Sequence, residues 1–386
     1  MKRIAIIGTQ GIPAHYGGFE TLAENLVRKK HNNQIEYTVF CSSKDLQTDG
    51  NDFVKPNDQS QTCLSFGMAR NRRMKSKDFL GAKLKYLNLH SNGIQSILYD
   101  IVSMIKCIRG YDAMLILGVS GCIFIPILKV MAHTKIVVNI DGLEHKRQKW
   151  GKMAKWFLRL SEKMAVRYAD TIIADNQGIR EYVKDTYNKD AVMIAYGGDH
   201  ALIDITEEKE KEILDNLGLE KGGYALSICR IEPENNVDMV LDVFAKTNKP
   251  IAIVGNFLNN EYSRGLRDKY SNHHGIKLID ACYDTRKLYV LRKNAEYYVH
   301  GHSAGGTNPS LVEVMHFGIP VITFDVNYNR YTTNNEAEYF ADREHLEYLL
   351  KMPRKDSGGA MKDYADKNYR WDIIAQEYEQ VLFNLS

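Results

Sequence analysis

Residues 300–313 read His300-Gly301-His302-Ser303-Ala304-Gly305-Gly306-Thr307-Asn308-Pro309-Ser310-Leu311-Val312-Glu313. The run Glu296–His300 has the apolar, aromatic character of a strand, and the small residues after it make a loop. Pro309 suits the first turn of a helix, where its missing N–H has no partner to lose. The sequence therefore predicts strand, loop and helix in succession, the unit at whose carboxyl edge open α/β sheets hold ligands. Backbone amides from Gly305, Gly306, Thr307 and Asn308 can bind a diphosphate there. Glu313, one turn into the helix, can accept hydrogen bonds from a ribose diol. Two histidines at this spacing raise the question of metal, but no cysteine or carboxylate completes a ligand set.

The same unit recurs along the chain. Cys229-Arg230-Ile231-Glu232-Pro233-Glu234-Asn235-Asn236 follows the strand Tyr224–Ile228, and Arg230 at its end can clamp a phosphate with two parallel hydrogen bonds. A surface ion pair with Glu232 or Glu234 is the other reading of that arginine. Asn139-Ile140-Asp141-Gly142-Leu143-Glu144-His145-Lys146-Arg147 closes another strand. Asp141, Glu144 and His145 are candidates for meeting a hydroxylated substrate or moving a proton, although Asp141 can also cap the next helix. Near the N-terminus, Gly8 to Glu20 reads GTQGIPAHYGGFE after the apolar run Ile4–Ile7. Its glycines match neither the dinucleotide fingerprint nor a Walker loop. Gly17 and Gly18 sit just before a helix predicted from Phe19, so their amides are the best placed for an anion. A glycine-rich turn serving topology alone is the alternative.

These units sit in a regular alternation. Strands are predicted at Arg3–Gly8, Glu36–Cys41, Ala113–Leu117, Lys135–Ile140, Thr171–Ala174 and Val192–Ala195, with amphipathic helices at Phe19–Lys30, Ile94–Arg109 and Lys149–Tyr168. A second series follows at Tyr224–Ile228, Ile251–Val254, Lys277–Ile279, Glu296–His300 and Pro320–Phe324. Its helices are Val237–Lys246, Glu261–Tyr270, Thr285–Lys293 and Pro309–Phe317. Strands that are apolar throughout belong to parallel sheets covered on both faces. The fold class is α/β, as two doubly wound Rossmann-like domains. The expected division is 1–200 and 201–369, with the charged segment Thr206–Gly223 as the boundary region.

Composition narrows the function. Of 386 residues, 44% are apolar and 26% charged, ordinary for a globular protein. The six cysteines form no CxxC pair, which excludes a disulfide framework or zinc knuckle. Met1-Lys2-Arg3 precedes only four apolar residues, so no signal peptide is read, and no run approaches the roughly 20 residues of a membrane span. The chain reads as cytoplasmic. Charge is uneven: residues 1–200 hold 29 Lys/Arg against 19 Asp/Glu, and residues 201–386 hold 22 against 29. The first half is thus suited to something anionic. A nicotinamide-dependent oxidoreductase would need GxGxxG after the first strand, which is absent. A nucleic-acid-binding protein would explain the basic half but not the loop at 300–313.

Taken together, GTQGIPAHYGGFET, NIDGLEHKRQKW, ADNQGI, RIEPENN and HGHSAGGTNPSLVEVMHFGIPVI resemble a retaining GT-B glycosyltransferase of family 4, most closely the bacterial polysaccharide rhamnosyltransferase-like subgroup. The resemblance covers nearly the whole chain. It implies an acceptor-binding N-terminal domain and a C-terminal domain holding a nucleotide sugar, with the last helix (about 370–386) crossing back to the first. It implies donor contacts from Gly17, Gly18, Arg230, Gly305, Gly306, Thr307, Asn308 and Glu313. Asp141, Arg230 and Glu313 become the catalytic candidates, and Tyr16, Glu144 and His145 lie on the acceptor side. No cofactor or metal is implied, and nucleic acid is not a partner. The wider family usually has lysine five positions after the arginine, where this chain has Asn235. It usually has glutamate eight positions before the ribose-binding one, where this chain has Gly305. A histidine often ends the late strand of the first domain, where Asp141 stands.

The subgroup resemblance implies transfer from dTDP-L-rhamnose to a saccharide acceptor, lipid-linked, in cell-surface or capsular polysaccharide synthesis. A UDP-hexose donor, or a homologue that binds sugar nucleotides without turnover, are the alternatives. Two basic clusters, Arg70–Lys77 with Lys83 and Lys85, and Lys146–Lys163 with Trp150, Trp156 and Phe157, suit the headgroup zone of an anionic membrane. A solvated face is their other reading. The inner face of the plasma membrane is the surface such an acceptor would occupy.

Overall fold

The computed structural model describes residues 1–14, 17–45, 77–140, 142–146 and 150–385. Tyr16, Asp141 and the basic stretch Arg70–Ser76 lie outside the described residues. In chain order the first unit comprises β1 (Lys2–Ile7), α1 (Gly18–Arg28), β2 (Ile35–Ser42), β3 (Asp78–Phe79), β4 (Ala82–Leu87), α2 (Gln95–Lys106) and β5 (Ala113–Leu117). It continues with α3 (Ile125–Met131), β6 (Lys135–Ile140), α4 (Lys152–Tyr168), β7 (Thr171–Ala174), α5 (Gln177–Tyr187) and β8 (Val192–Met193).

These strands form one sheet in the order β3-β4-β2-β1-β5-β6-β7-β8, parallel except for β3 against β4. The central strands β1, β5 and β6 are buried along almost their whole length, which is why they read as unbroken apolar runs. β4 behaves differently. Its sequence AKLKYL alternates buried and exposed near the sheet edge, so the lysines expected in a basic cluster belong to a strand. Lys83 pairs with Glu36, and Lys85 lies 5.1 Å from the Tyr111 ring centre, so both have local partners.

The second unit comprises α6 (Glu207–Leu217), β9 (Ala225–Ile228), α7 (Val237–Thr247), β10 (Ile251–Val254), α8 (Glu261–Tyr270), β11 (Ile276–Ile279), α9 (Thr285–Lys293), β12 (Tyr297–His300) and α10 (Pro309–Met315). Then come β13 (Val321–Phe324), α11 (Asn327–Thr332), β14 (Glu338–Phe340), α12 (Arg343–Lys351), α13 (Gly358–Asn368) and α14 (Trp371–Phe383). The sheet order β11-β10-β9-β12-β13-β14 is all parallel and is the doubly wound 3-2-1-4-5-6 arrangement. Both sheets reverse direction beside their first strand, between β1 and β5 and between β9 and β12. The loops at those two reversals start with the glycine-rich 8–14 in the first sheet and are the pair 229–236 and 301–308 in the second.

Helix α14 returns to the first unit and is tied there by specific groups. The Glu379 carboxylate accepts the backbone N–H groups of His31 (2.8 Å) and Asn32 (2.9 Å) beyond the end of α1. Asn139 donates to the Tyr378 hydroxyl at 2.5 Å, and Asp372 pairs with Lys29 at 3.1 Å. Trp371, Ile374, Ala375, Tyr378 and Leu382 are buried along its inner face. Among the described residues, no helix is long and apolar enough to cross a membrane. Replacing Glu379 with alanine leaves two backbone donors without their acceptor. The Glu379→Ala variant is expected to lose about 2 kcal/mol, read as a lower urea midpoint.

Candidate functional site

The site begins with two loops of the second sheet that are stitched to each other. Asn235 donates to the carbonyl of Arg230 at 2.6 Å, and its side-chain oxygen is hydrogen-bonded to His302 Nδ1. Asn236 donates to the Gly301 carbonyl at 2.8 Å, while the Ser303 amide and hydroxyl both donate to the Glu234 carbonyl. Gly301 has to be glycine, since a Cβ there would lie 2.2 Å from the Asn235 carbonyl oxygen. Both loops are therefore rigid. Arg230 emerges from them exposed, and its guanidinium has no partner among the described residues. The ion pair to Glu232 or Glu234 is not formed: Glu232 accepts from Asn259 and Glu234 is buried.

The two departures from the wider family's pattern have a shared geometry. Asn235 is buried between Arg230 and His302 and does not reach outward. Gly305 has φ +129°, and a Cβ on it would lie 2.9 Å from His302 Nε2. A glutamate at 305 would be strained in backbone and crowded by that imidazole. His300 lies beneath, fully buried, and burial pushes its imidazole down to about 3, so it is neutral.

The loop 305–309 meets the first domain at three places. A Cβ on Gly18 would touch Pro309 Cγ at 3.6 Å, and one on Gly142 would lie 3.2 Å from the Gly305 Cα. Asp175, with no exposed surface, accepts the Thr307 amide at 2.9 Å through its carboxylate, and its carbonyl accepts the Thr307 hydroxyl at 2.5 Å. A Cβ on Gly306 would be 2.1 Å from the Asp175 carboxylate. Asn176 caps α5 through Gly178 and donates across the boundary to the Tyr328 carbonyl and the Thr332 hydroxyl, both at 3.2 Å. Thr307 thus bridges domains in this arrangement, with its amide and hydroxyl both engaged. Asn308 caps α10, accepting from the Ser310 amide at 3.1 Å. Asp175 and Asn176 belong to the ADNQGI stretch, whose role the sequence alone did not assign.

Glu313 sits one turn into α10 with both oxygens engaged: Oε2 by the buried Arg292, Oε1 by His200 Nε2 at 3.3 Å. Burial alone would raise this carboxyl, but Arg292 and His200 together hold it below the usual range. Arg292 and His200 carried no pattern in the sequence. After β6, the His145 ring is held by Glu162 at 3.2 Å, and Glu162 also accepts from the Tyr182 and Tyr187 hydroxyls. Glu144 accepts from the Trp150 indole at 3.3 Å. These contacts fix the 142–146 loop after β6.

Gly17 ends the first glycine loop with φ +112° and, as the residue before α1, offers no capping side chain. The Glu20 carboxylate lies against this end of α1, where it accepts its own backbone N–H. Glu20 folds back beneath the loop and accepts the Gln10 amide at 2.7 Å. Burial pushes its carboxyl up to about 7 against the pull of that amide. Among the described residues no group of three histidine, cysteine or acidic side chains is placed to hold a metal ion.

Two doubly wound domains with carboxyl-edge loops converging on one cleft are the GT-B architecture. Residues 208–350 match the family model described as "Glycosyl transferases group 1", and the chain has the GT-B fold. Residues 1–199, more than half of the chain, match the model described as "Domain of unknown function (DUF1972)", and the chain belongs to that family. No curated protein matches it. Among solved structures it is similar to sucrose-phosphate synthase from Thermosynechococcus elongatus, with TM-score 0.75, 15% identity and coverage of 100% of this chain and 99% of that one. It is also similar to HepE of Anabaena in complex with UDP, with TM-score 0.72, 13% identity and full coverage of both chains. The α,α-trehalose 6-phosphate synthase of Burkholderia multivorans gives TM-score 0.68, 9% identity and coverage of 100% and 99%.

Glu20 makes a testable pH effect. Its folded value of about 7 lies above the ordinary 4.5, so the folded state holds the proton that the unfolded state releases. The stabilisation is full below about pH 4.5 and declines as pH rises to about 7, by up to about 3 kcal/mol. Glu20→Gln is expected to flatten stability across that window in urea titrations at stepped pH.

Proposed function

We propose that the protein transfers a glycosyl group from a nucleoside diphosphate sugar to a saccharide hydroxyl, with retention at the anomeric carbon. The observation that carries this reading is the Arg230 guanidinium, unpartnered among the described residues and presented at the reversal of the second sheet beside a loop that touches the first domain at Gly18. The bond from the anomeric carbon to the diphosphate breaks, the acceptor oxygen takes that carbon, and the acceptor's proton is released. Negative charge grows on the departing diphosphate. Arg230 would meet it from one side, and the α1 amides near Gly17 and Gly18 from the other, without a metal. Glu313, kept ionised by Arg292 and His200, would accept from the nucleoside's sugar hydroxyls. Rhamnose carried by dTDP is the preferred donor, from the resemblance of RIEPENN and GGTNPSL to that subgroup. A UDP-hexose is the alternative, suggested by the HepE structure with UDP-glucose.

The acceptor is proposed to be lipid-linked, in cell-surface or capsular polysaccharide synthesis, which brings the protein to the inner face of the plasma membrane. One helix face supports this. On α4, Lys152, Trp156, Arg159, Lys163 and Arg167 are exposed along one side, with Met153 beside them at 87% exposure. The acidic Glu162 points inward, so no carboxylate of α4 opposes an anionic surface.

Two experiments test these readings. A thermal-shift screen across nucleotide sugars is expected to show stabilisation by the true donor, following mass action. Folded Arg230→Ala and Glu313→Ala variants are each expected to lose about 10²–10³ in kcat/KM, measured by nucleotide release. Near-normal turnover in both would end the site assignment, and donor stabilisation without nucleotide release would favour a binding protein over an enzyme. For the surface, co-sedimentation with phosphatidylcholine vesicles is expected only when phosphatidylglycerol is included. Each of Arg159→Glu and Lys163→Glu should weaken it roughly fivefold.

A further inference from the structure

The chain passes between the domains twice, and both passages press against the turn of α10 that carries Glu313. In the first passage, Gly197 and Gly198 are in close quarters. A Cβ on Gly197 would lie 2.6 Å from the Trp371 ring, and one on Gly198 would lie 2.8 Å from the Glu313 amide nitrogen. In the second passage, the Gly198 amide donates to the Tyr369 carbonyl at 2.8 Å, and the Trp371 amide donates to Asp199 Oδ1 at 2.8 Å. His200 lies where the two meet. The Trp371 indole Nε1–H points at His200 Nδ1 across 2.9 Å, and His200 Nε2 faces Glu313 Oε1 at 3.3 Å.

The chemistry of these three groups fixes a proton. An indole nitrogen only donates, so the Nδ1 that receives it must carry a lone pair. The proton of the neutral ring then sits on Nε2, the nitrogen turned toward Glu313. With the other tautomer, a lone pair would face the carboxylate, and two N–H groups would face each other at the tryptophan. We propose that His200 is a positioning residue: its tautomer, set by Trp371, holds Glu313 in the orientation that receives the nucleotide, so that the crossover between domains is coupled to the donor site. Arg292 supplies the opposite contact at Oε2 but belongs to α9 of the same domain, so among the described residues His200 alone links the crossover to this carboxylate. The proposal rests on the reading of Glu313 as a donor contact.

The test uses the full-length protein with UDP and dTDP as probes. Long-range proton–nitrogen NMR of the histidine rings, with His200 identified through its loss in His200→Ala, is expected to show a neutral ring protonated at Nε2. Trp371→Phe keeps an aromatic ring against Gly197 but removes the indole N–H, and it should shift His200 toward the Nδ1–H form. By calorimetry, His200→Ala and Trp371→Phe are each expected to weaken binding of whichever probe binds by about tenfold. His200→Gln, whose amide can accept from Trp371 and donate to Glu313, should stay within about threefold of the native protein. Unchanged far-ultraviolet circular dichroism shows that each variant is folded. A His200 ring protonated at Nδ1 in the native protein overturns the proposal, whatever the binding data. Native affinity in His200→Ala, when Glu313→Ala is impaired, also overturns it. Native affinity in Glu313→Ala itself overturns the donor reading instead.

Discussion

A buried carboxylate with no exposed surface has to be answered by donors, and Asp175 finds one of them in the opposite domain. That requirement organises the cleft. The Thr307 amide must approach Asp175, so residue 306 can carry no side chain, since a Cβ would fall 2.1 Å from the carboxylate. Once Gly306 and Thr307 are fixed, Gly305 lies against Gly142 and Pro309 against Gly18. The loops after β1, β6 and β12 are then assembled in one place. Asn176, the next residue, ties α5 to the carbonyl of Tyr328 and the hydroxyl of Thr332 on α11, and the Tyr331 hydroxyl reaches Glu181 at 2.9 Å. Alongside an apolar cluster that runs through both domains and α14, the two are held by hydrogen bonds to buried polar groups. Such contacts are modest in net energy but expensive to leave half made.

The second constraint is electrostatic. Where the wider family resembled by this chain usually sets a lysine and a glutamate, this chain has Asn235 and Gly305, one cation and one anion fewer. The pair is internally consistent. Asn235 bridges the Arg230 carbonyl and His302 Nδ1, and that same imidazole occupies the room a side chain at 305 would need. Restoring either charge alone would bury it without its counterpart. Arg230 is left as the exposed guanidinium of the 229–236 loop, anchored through its backbone while its side chain stays uncommitted.

Much of the scaffold was legible because parallel strands buried on both faces are continuous apolar runs. Ala113–Leu117, Lys135–Ile140, Thr171–Ala174 and Ile251–Val254 coincide end to end with β5, β6, β7 and β10. The helices Glu261–Tyr270 and Thr285–Lys293 coincide with α8 and α9, whose Asn260 and Asp284 caps mark their starts. β4 escaped because an edge strand with alternating lysines carries a polar pattern that a charge count misreads. At the site, glycines and an arginine at strand ends could be seen, since loop chemistry is local. Glu20, Asp175, His200, Arg292 and Trp371 could not. Each is a single residue known only through its partner, which for Trp371 and His200 or Asp175 and Thr307 lies far away in the chain.

Those distant partners explain why the last helix belongs to the site although none of its residues was a candidate for chemistry. Glu379 and Tyr378 anchor α14 to the first domain through His31, Asn32 and Asn139, so its position reports where that domain stands. Its first residue, Trp371, is packed against Gly197 and donates to His200, which touches Glu313 of the second domain. The first domain is therefore joined by a short chain of contacts to a carboxylate of the second. Glycines at 197 and 198 are what permit the approach, because each passes within a Cβ's reach of a neighbouring element. The two crossovers between the domains thus lie one hydrogen bond away from the group proposed to hold the donor.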